Sequence, residues 1–123
     1  RHGGQWLKGK SIDRTMPMGP WITLRDSVDI SKVIIEFELN GKAMQRAGTA
    51  DMAFPISELI SELSFGMTLH AGDVLLTGTP SGIGNARTPP VFLADGDILV
   101  TRGTDLGEMI NTMRATDLTT YCT

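Results

Sequence analysis

The sequence predicts an α+β fold that is rich in β-strand and has one main helix, at about residues 54–65. Three observations lead to this prediction. Apolar and charged side chains alternate over residues 33–39, and an Asn-Gly pair follows them, as expected for a β-hairpin. Residues 54–65 repeat apolar side chains at helical spacing. Fourteen glycines and six prolines interrupt much of the remaining chain, which disfavours further long helices.

The predicted hairpin joins strand 33–39 to a return strand at residues 42–46 through Asn40-Gly41. Successive side chains of a strand point to opposite faces, so one face of the first strand is apolar and the other is partly charged. The apolar face holds Val33, Ile35, Phe37 and Leu39, and the other holds Ile34, Glu36 and Glu38. The hairpin is therefore expected to contact a core on one side and solvent on the other.

Glu36 and Glu38 have the spacing of a paired-carboxylate metal motif, because residues two apart share one face of a strand. The alternative is that both side chains contact solvent on the outer face of the hairpin. We adopt this alternative, which leaves no predicted metal ligand within the chain.

The predicted helix combines a start signal, an apolar stripe and a stop signal. Pro55 suits the first turn, and Gly66 suits the position just after the helix. The stripe consists of Ile56, Leu59, Ile60 and Leu63. We expect this stripe to pack against the sheet.

The second half of the chain predicts three more strands. Residues 74–76 are Val-Leu-Leu, the composition of a short strand that is buried on both faces. Residues 98–102 and 108–113 predict the other two strands, on either side of a glycine-containing loop. Residues 117–123 form a polar tail, so the predicted domain covers residues 1–116.

A glycine-rich loop follows the short apolar run and is the strongest candidate for a binding site. Its sequence is Thr77-Gly78-Thr79-Pro80-Ser81-Gly82-Ile83-Gly84. Glycine permits positive φ angles and close backbone approach, so such a loop can direct N–H groups and hydroxyls at an anionic ligand. The alternative is a glycine-rich turn that only joins two strands.

The spacing around this loop excludes the common nucleotide-binding motifs. A Walker A loop requires Lys and then Ser or Thr directly after its last glycine, whereas Asn85-Ala86-Arg87 follows Gly84. A dinucleotide-binding loop opens a helix, whereas Thr88-Pro89-Pro90 comes next. The loop therefore indicates a small-molecule site of another kind.

Bulk composition narrows the class of protein further. The chain has 123 residues, a net charge of −3 and a pI near 5.2, which favours neither nucleic acid nor a membrane surface as partner. Its apolar runs are too short to span a bilayer. Cys122 is the only cysteine, so an internal disulfide is excluded and a cytoplasmic location is expected.

Six motifs, in this order and spacing, resemble the C-terminal catalytic domain of the fumarylacetoacetate hydrolase family. They are Lys8-Gly9-Lys10-Ser11-Ile12-Asp13, Pro17-Met18-Gly19-Pro20-Trp21, the Asn40-Gly41 turn, Thr49-Ala50-Asp51-Met52-Ala53-Phe54, Leu69-His70-Ala71-Gly72-Asp73-Val74 and the glycine-rich loop. The resemblance extends over about residues 1–115.

The resemblance implies a mixed β-roll with a few short helices. It also implies a Mg²⁺- or Mn²⁺-dependent enzyme, commonly a homodimer, that acts on 2-oxo acids or their enols. Reactions of the family include hydrolysis of acylpyruvates, decarboxylation of oxaloacetate-like diacids and isomerisation of hydroxymuconate-type dienoates. A metal-bound enolate is the shared chemistry.

Five residues receive roles from the resemblance. Lys10 matches a lysine near the metal and substrate oxygens, and Thr79 matches a threonine that contacts the substrate carboxylate or oxyanion. Gln5, Gly78 and Pro80 are expected to contact substrate as well. From composition alone, Lys10 is interpreted instead as a surface lysine in a glycine-rich loop.

The metal ligands of the resembled family are a Glu-x-Glu pair and a later aspartate, and these are expected upstream of Arg1. Glu36 and Glu38 are not that pair, because they follow the Gly-Pro-Trp motif. The chain is therefore expected to be the later part of a longer polypeptide and inactive by itself. The alternative function is a β-rich binding or scaffold module that keeps the fold without a complete metal centre.

Overall fold

The computed structural model describes residues 9–117. Their four strands form one antiparallel sheet in the order β2-β1-β3-β4. The strands are β1 (Ile34–Leu39), β2 (Lys42–Gly48), β3 (Ile98–Gly103) and β4 (Gly107–Thr112). The helix α1 spans Ile56–Leu63, between β2 and β3 in the chain. Short 3₁₀ turns cover Arg25–Ser27, Thr49–Asp51 and Gly84–Ala86. The prediction of a β-rich α+β fold is confirmed.

The predicted hairpin is present and its turn is the one that Asn-Gly favours. Asn40 has φ 51° and Gly41 has φ 76°, both in the left-handed region that a two-residue hairpin turn needs. The pairing register shifts between Phe37 and Glu38, so that Met44 of β2 is an extra residue in a β-bulge. This bulge lies where β2 meets the glycine-rich loop.

One face of the sheet carries cross-strand ion pairs. Glu36 of β1 pairs with Arg46 of β2 at 2.6 Å. Arg102 of β3 pairs with Glu38 of β1 at 2.8 Å and with Glu108 of β4 at 2.5 Å. Both glutamates of the Glu-x-Glu sequence are thus neutralised by arginines on neighbouring strands, in agreement with their assignment to the solvent-facing side of the hairpin.

The opposite face of the sheet is apolar, and α1 lies across part of it with a gap between them. Val33 is 2% exposed and Leu39 is 9% exposed, and they are the buried apolar residues of the described chain. A cavity of about 680 Å³ separates α1 from the sheet, with Val33 and Ile35 on one side and Ile56, Ile60 and Leu63 on the other. The helix therefore faces the sheet, as expected, but does not pack closely against it.

The helix is shorter than the predicted range of 54–65. Pro55 precedes it with an extended ψ of 152°, so proline is the N-cap residue and not part of the first turn. The helix ends at Leu63, and the chain then turns through Gly66, which has φ 72°. Gly66 therefore takes a left-handed position soon after the end of the helix, close to the place predicted for a stop.

The prediction of a buried strand at residues 74–76 is wrong. These residues adopt no strand, and Val74 and Leu76 are 58% and 68% exposed. A strand forms only where it has a hydrogen-bonded partner. In the described sheet, the strands β1 to β4 pair with one another and not with residues 74–76. An apolar run indicates that a segment tends to be buried, but it does not determine which strand the segment pairs with. The other two predicted strands are confirmed as β3 and β4.

Within residues 9–117, no helix has the length and apolar character required to cross a membrane.

Candidate active site

The glycine-rich loop forms one wall of a cavity of about 310 Å³ beside β2. Thr77, Gly78, Thr79 and Pro80 contribute this wall. The facing side is built from β1, the end of β2, the 3₁₀ turn that follows it, the segment that leads into α1, and one residue of α1. Its residues are Ile35, Ala47, Gly48, Thr49, Asp51, Met52, Ala53, Phe54 and Leu59. The cavity is thus mostly apolar and has a few polar groups, a composition typical of small-molecule sites.

Gln45 of β2 fixes the middle of the loop. Its side-chain Nε2 donates to the Pro80 carbonyl oxygen at 2.7 Å and to the Thr79 hydroxyl oxygen at 3.1 Å. The Ser81 carbonyl oxygen lies 3.4 Å from the same nitrogen. Gln45 is half-buried and pairs with Phe37 in the ladder, so a sheet residue holds the loop at Thr79.

Arg87 fixes the far end of the loop. Its Nε donates to the Gly82 carbonyl oxygen at 3.1 Å, which closes the loop on itself. One terminal nitrogen of the same guanidinium donates to the Met44 carbonyl oxygen at 2.6 Å. Met44 is the extra residue of the bulge, so the bulge presents to Arg87 a carbonyl group on the edge strand. One half-buried arginine therefore joins loop and sheet.

Gly82 is required where the loop approaches β2. A Cβ atom at this position would overlap the Met44 carbonyl oxygen and lie 3.2 Å from Cγ of Gln45. Gly82 also has φ 102°, which side-chain-bearing residues rarely adopt. The loop can therefore reach Gln45 and Arg87 only with glycine at residue 82.

The polar groups of the cavity wall differ in whether they hydrogen-bond to the turn after β2 or belong to the glycine-rich loop. The Thr49 hydroxyl donates to the Ile30 carbonyl oxygen at 2.5 Å, and a carboxylate oxygen of Asp51 accepts from the Gly48 N–H at 3.0 Å. Both groups therefore serve the turn after β2. Thr77 and Thr79, which each carry a hydroxyl, line the cavity from the loop side. Hydroxyls that face a cavity can donate hydrogen bonds to ligand oxygen atoms.

The structure brings together three of the five residues that the sequence nominates. Gly78, Thr79 and Pro80 lie side by side on the cavity wall. Lys10 is exposed and does not line this cavity. Gln5 lies outside the described residues. The roles of these residues in substrate binding and catalysis stay predictions.

Two residues that hold the loop, Gln45 and Arg87, were not predicted from the sequence. A signal for Gln45 does exist, because it is a polar residue that shares the apolar face of the hairpin with Phe37. Such a residue needs a hydrogen-bond partner. Nothing in the local sequence of Arg87 indicates its acceptor at Met44, which lies 43 positions away.

The described residues do not by themselves fit the divalent metal ion that the family resemblance implies. Within residues 9–117, no three side chains of the types His, Cys, Asp or Glu lie close enough together to hold a metal ion. Glu36 and Glu38, the one Glu-x-Glu sequence, are occupied by Arg46 and Arg102. No reaction step is therefore assigned to a metal held by these residues.

The fold is a β-rich domain, and a cavity lies beside its glycine-rich loop. The sequence profile of the family described as "Fumarylacetoacetate (FAA) hydrolase C-terminal" matches residues 1–114. The chain belongs to this family, as the six motifs indicated.

Curated relatives of this chain include enzymes. A mitochondrial oxaloacetate tautomerase of Bos taurus is 45% identical over 112 residues, which are 90% of this chain and 36% of that protein. The oxaloacetate tautomerase YisK of Bacillus subtilis is 48% identical over 94 residues, 76% of this chain and 31% of that protein. The chain thus spans about a third of the length of these curated relatives.

Solved structures agree with the fold. A fumarylacetoacetate hydrolase from Exiguobacterium antarcticum superposes with a TM-score of 0.86 at 39% identity, covering 89% of this chain and 39% of that chain. A maleylpyruvate hydrolase from Sphingobium sp. SYK-6, in complex with manganese(II) and pyruvate, superposes with a TM-score of 0.72 at 35% identity. This superposition covers 80% of this chain and 35% of that chain.

Proposed function

We propose that this chain forms part of an enzyme that acts on 2-oxo acids or on their enols. The candidate substrates are acylpyruvates, oxaloacetate and hydroxymuconate-type diacids, and the candidate reactions are hydrolysis, decarboxylation and isomerisation. The observation that carries this proposal is the position of Thr79, with Gly78 and Pro80, on the wall of a cavity in a member of this family.

Several relatives support the substrate class. Those in cattle and Bacillus subtilis are oxaloacetate tautomerases. A structural relative from Mycobacterium smegmatis, 36% identical with a TM-score of 0.80, is a 5-carboxymethyl-2-hydroxymuconate delta-isomerase. Each of these names describes an oxo acid, an enol or both. We propose that stabilisation of an enol or enolate oxygen is the chemistry that this chain's enzyme performs.

The size of the cavity and the hydroxyl of Thr79 support the proposal of a small ligand that carries oxygen atoms. Its volume of about 310 Å³ is at the lower end of the range for small-molecule sites, which suits a compact diacid better than a nucleotide. We assign to Thr79 a hydrogen bond to a carboxylate or enolate oxygen of the substrate. Gly78 has φ 107°, and a Cβ atom on it would have no atom within 4 Å, so Gly78 leaves the adjacent space open.

Lys10 and Gln5 complete the proposed site through the family resemblance alone. A lysine ammonium close to the reacting oxygens would offset the negative charge that develops on an enolate. Gln5 would add a neutral hydrogen-bond donor. Since Lys10 does not line the cavity, its role depends on the position it takes in the complete site.

A divalent ion, Mg²⁺ or Mn²⁺, is part of the proposal. The maleylpyruvate hydrolase relative holds manganese(II) together with pyruvate. When bound, such an ion supplies Lewis-acid stabilisation of the oxo and carboxylate oxygens. We propose that its carboxylate ligands come from residues other than those that the structure describes, because the described residues do not form a suitable cluster.

The quaternary structure and the compartment are proposals as well. We propose a homodimer, for which exposed apolar side chains such as Ile22, 92% exposed, offer contact surface. Light scattering after size-exclusion chromatography measures the mass of the assembly and so tests the dimer.

We propose a cytoplasmic location on the basis of the single cysteine. Since the bovine relative is mitochondrial by name, fractionation of the source cells distinguishes the two compartments.

A turnover screen of the complete gene product tests the proposed function. The substrates are oxaloacetate, in its enol and keto forms, and a series of acylpyruvates, each with Mg²⁺ or Mn²⁺ and again after chelation. The proposal predicts turnover of at least one compound and its loss on chelation. Binding of a 2-oxo acid without turnover under any condition would contradict the proposal and favour a binding module.

A further inference from the structure

We propose that Gln45 is a positioning residue for Thr79, which it holds so that the threonine hydroxyl donates its proton into the cavity. Gln45 lies on β2 and touches the loop from the side of the sheet. This inference rests on the proposed function, since it specifies how the loop would recognise the oxygen atoms of an oxo acid.

The orientation of the Gln45 amide follows from its neighbours. The nitrogen position faces the Pro80 carbonyl oxygen at 2.7 Å, and the Ser81 carbonyl oxygen lies 3.4 Å away. Carbonyl oxygens only accept hydrogen bonds, so the Gln45 group that faces them must be NH₂ and not C=O. The amide nitrogen carries two protons. One serves Pro80, and the other is shared between the Thr79 hydroxyl oxygen at 3.1 Å and the Ser81 carbonyl oxygen at 3.4 Å, of which the Thr79 oxygen is the nearer acceptor.

This bond fixes the polarity of the Thr79 hydroxyl. A hydroxyl has one proton and two lone pairs. Its oxygen accepts from Gln45, so its own proton must point elsewhere. Within residues 9–117, that proton goes to no protein acceptor, and Thr79 lines the cavity. The ligand atom that meets it must therefore be an acceptor, such as a carboxylate, oxo or enolate oxygen.

Gln45 and Arg87 act on different parts of the loop. Among the described residues, Arg87 donates to the backbone carbonyl oxygens of Gly82 and Met44 and to no hydroxyl. Gln45 contacts the hydroxyl of Thr79 directly. Loss of Arg87 should therefore loosen the loop, whereas loss of the Gln45 amide should also free the Thr79 hydroxyl to rotate.

A double-mutant cycle separates positioning from a merely structural role. Gln45→Met keeps the length of the side chain and removes both donors. In the complete gene product we expect kcat to fall about 10-fold while KM changes less than about 3-fold, because the hydrogen bond to Thr79 matters most in the transition state. In the Thr79→Val background, where the hydroxyl is already absent, Gln45→Met should change kcat less than about 2-fold.

Lys42→Met is the matched control, since Lys42 is an exposed residue of the same strand that makes no contact with the loop among the described residues. It should leave kcat within about 2-fold of the wild type. Equal losses from Gln45→Met in the wild-type and Thr79→Val backgrounds would overturn the proposal, because Gln45 would then act independently of Thr79.

A second readout needs no turnover and keeps failure of this proposal distinct from failure of the proposed function. The methyl resonance of Thr79, in protein labelled at threonine methyls, reports whether its side chain is fixed. We expect Gln45→Met to shift or broaden this resonance and Lys42→Met to leave it unchanged. An unchanged Thr79 resonance in Gln45→Met would overturn the positioning role, whereas a changed resonance in a protein that turns over no oxo acid would contradict only the proposed function.

Discussion

Gly82 shows how one residue can decide whether the loop reaches the sheet. Gly82→Ala introduces both a strained φ of 102° and an overlap with the Met44 carbonyl oxygen. Gly72→Ala introduces a similar strain, at φ 97°, with no atom within 4 Å of the new methyl group. Strain alone costs about 1–2 kcal/mol, and displacement of the Met44 carbonyl adds to it.

We therefore expect Gly82→Ala to lower the free energy of unfolding by about 1 kcal/mol more than Gly72→Ala does. Urea unfolding of the two variants and the wild type measures the difference. Since Gly82 carries the loop towards Gln45 and Arg87, Gly82→Ala should also weaken ligand binding. Equal destabilisation by the two substitutions would mean that the loop does not lie against β2 as described.

Asp97 connects the hairpin turn to the start of β3. Its carboxylate accepts from the Asn40 side-chain amide at 2.8 Å and from the Ala94 N–H at 2.7 Å. These two hydrogen bonds hold the pKa of Asp97 below its ordinary value of 3.8, and the bond from Asn40 contributes more than the bond from Ala94. Because the folded-state pKa is the lower one, the ionised carboxylate stabilises the fold above about pH 4 and this stabilisation is lost as the pH falls through the lowered pKa.

Asp97→Asn should lower the urea midpoint at neutral pH, and its difference from the wild type should shrink as the pH falls through the ordinary carboxyl pKa of 3.8 and below it. Urea unfolding at stepped pH values measures this dependence. Asp105→Asn, in the exposed turn between β3 and β4, removes the same charge and provides the control. A difference between wild type and Asp97→Asn that grows on acidification would refute the assigned direction.

At the scale of elements, α1 has a clear apolar stripe and little contact to bury it. Leu63 faces the cavity between α1 and the sheet but remains 38% exposed. Leu63→Ala would cost about 2–5 kcal/mol if Leu63 were fully buried. Because Leu63 is only partly buried and lies next to a cavity, we expect the substitution to cost roughly 1–2 kcal/mol. Glu62→Ala, on the outer face, should cost under about 0.5 kcal/mol.

Urea unfolding of the 123-residue chain measures both values. Equal effects of Leu63→Ala and Glu62→Ala would mean that the helix does not present its apolar stripe to the sheet. A cost above about 4 kcal/mol for Leu63→Ala would mean that the cavity between α1 and the sheet is closed in solution.

The elements that local sequence determines were predicted well. The Asn40-Gly41 turn, the alternation of residues 33–39 and the spacing of Ile56 and Leu63 depend on near neighbours, and the strands and helix appear within a few residues of the predicted bounds. The predicted strand at 74–76 was wrong because its partner cannot be deduced from its own composition.

The candidate site likewise has a part that local sequence predicts and a part that depends on distant residues. Gly78, Thr79 and Pro80 are adjacent in the chain and meet at the cavity. The contacts that hold them come from Gln45, which lies 34 positions before Thr79. Only the folded structure brings such distant residues together.

At the scale of the whole molecule, metal affinity tests whether the described residues can supply an ion site. The carboxylates of Glu36 and Glu38 are paired with arginines, and the described residues form no three-ligand cluster. We expect the 123-residue chain to bind Mg²⁺ with a Kd weaker than about 1 mM. Calorimetric titration measures it. Submillimolar affinity that disappears in Glu36→Gln or Glu38→Gln would place a metal ion on the hairpin and contradict our assignment of that pair.

The central claim, that Thr79 recognises a substrate oxygen, is tested most directly by kcat/KM of Thr79→Val in the complete gene product. Valine keeps the shape of threonine and deletes only the hydroxyl. We expect kcat/KM for the best oxo-acid substrate to fall at least about 10-fold, with the melting temperature nearly unchanged. Thr112→Val, at an exposed position of β4, should leave kcat/KM within about 2-fold. If Thr79→Val retains the kcat/KM of the wild type on a substrate that the wild type turns over, the glycine-rich loop is only a turn and the site lies elsewhere.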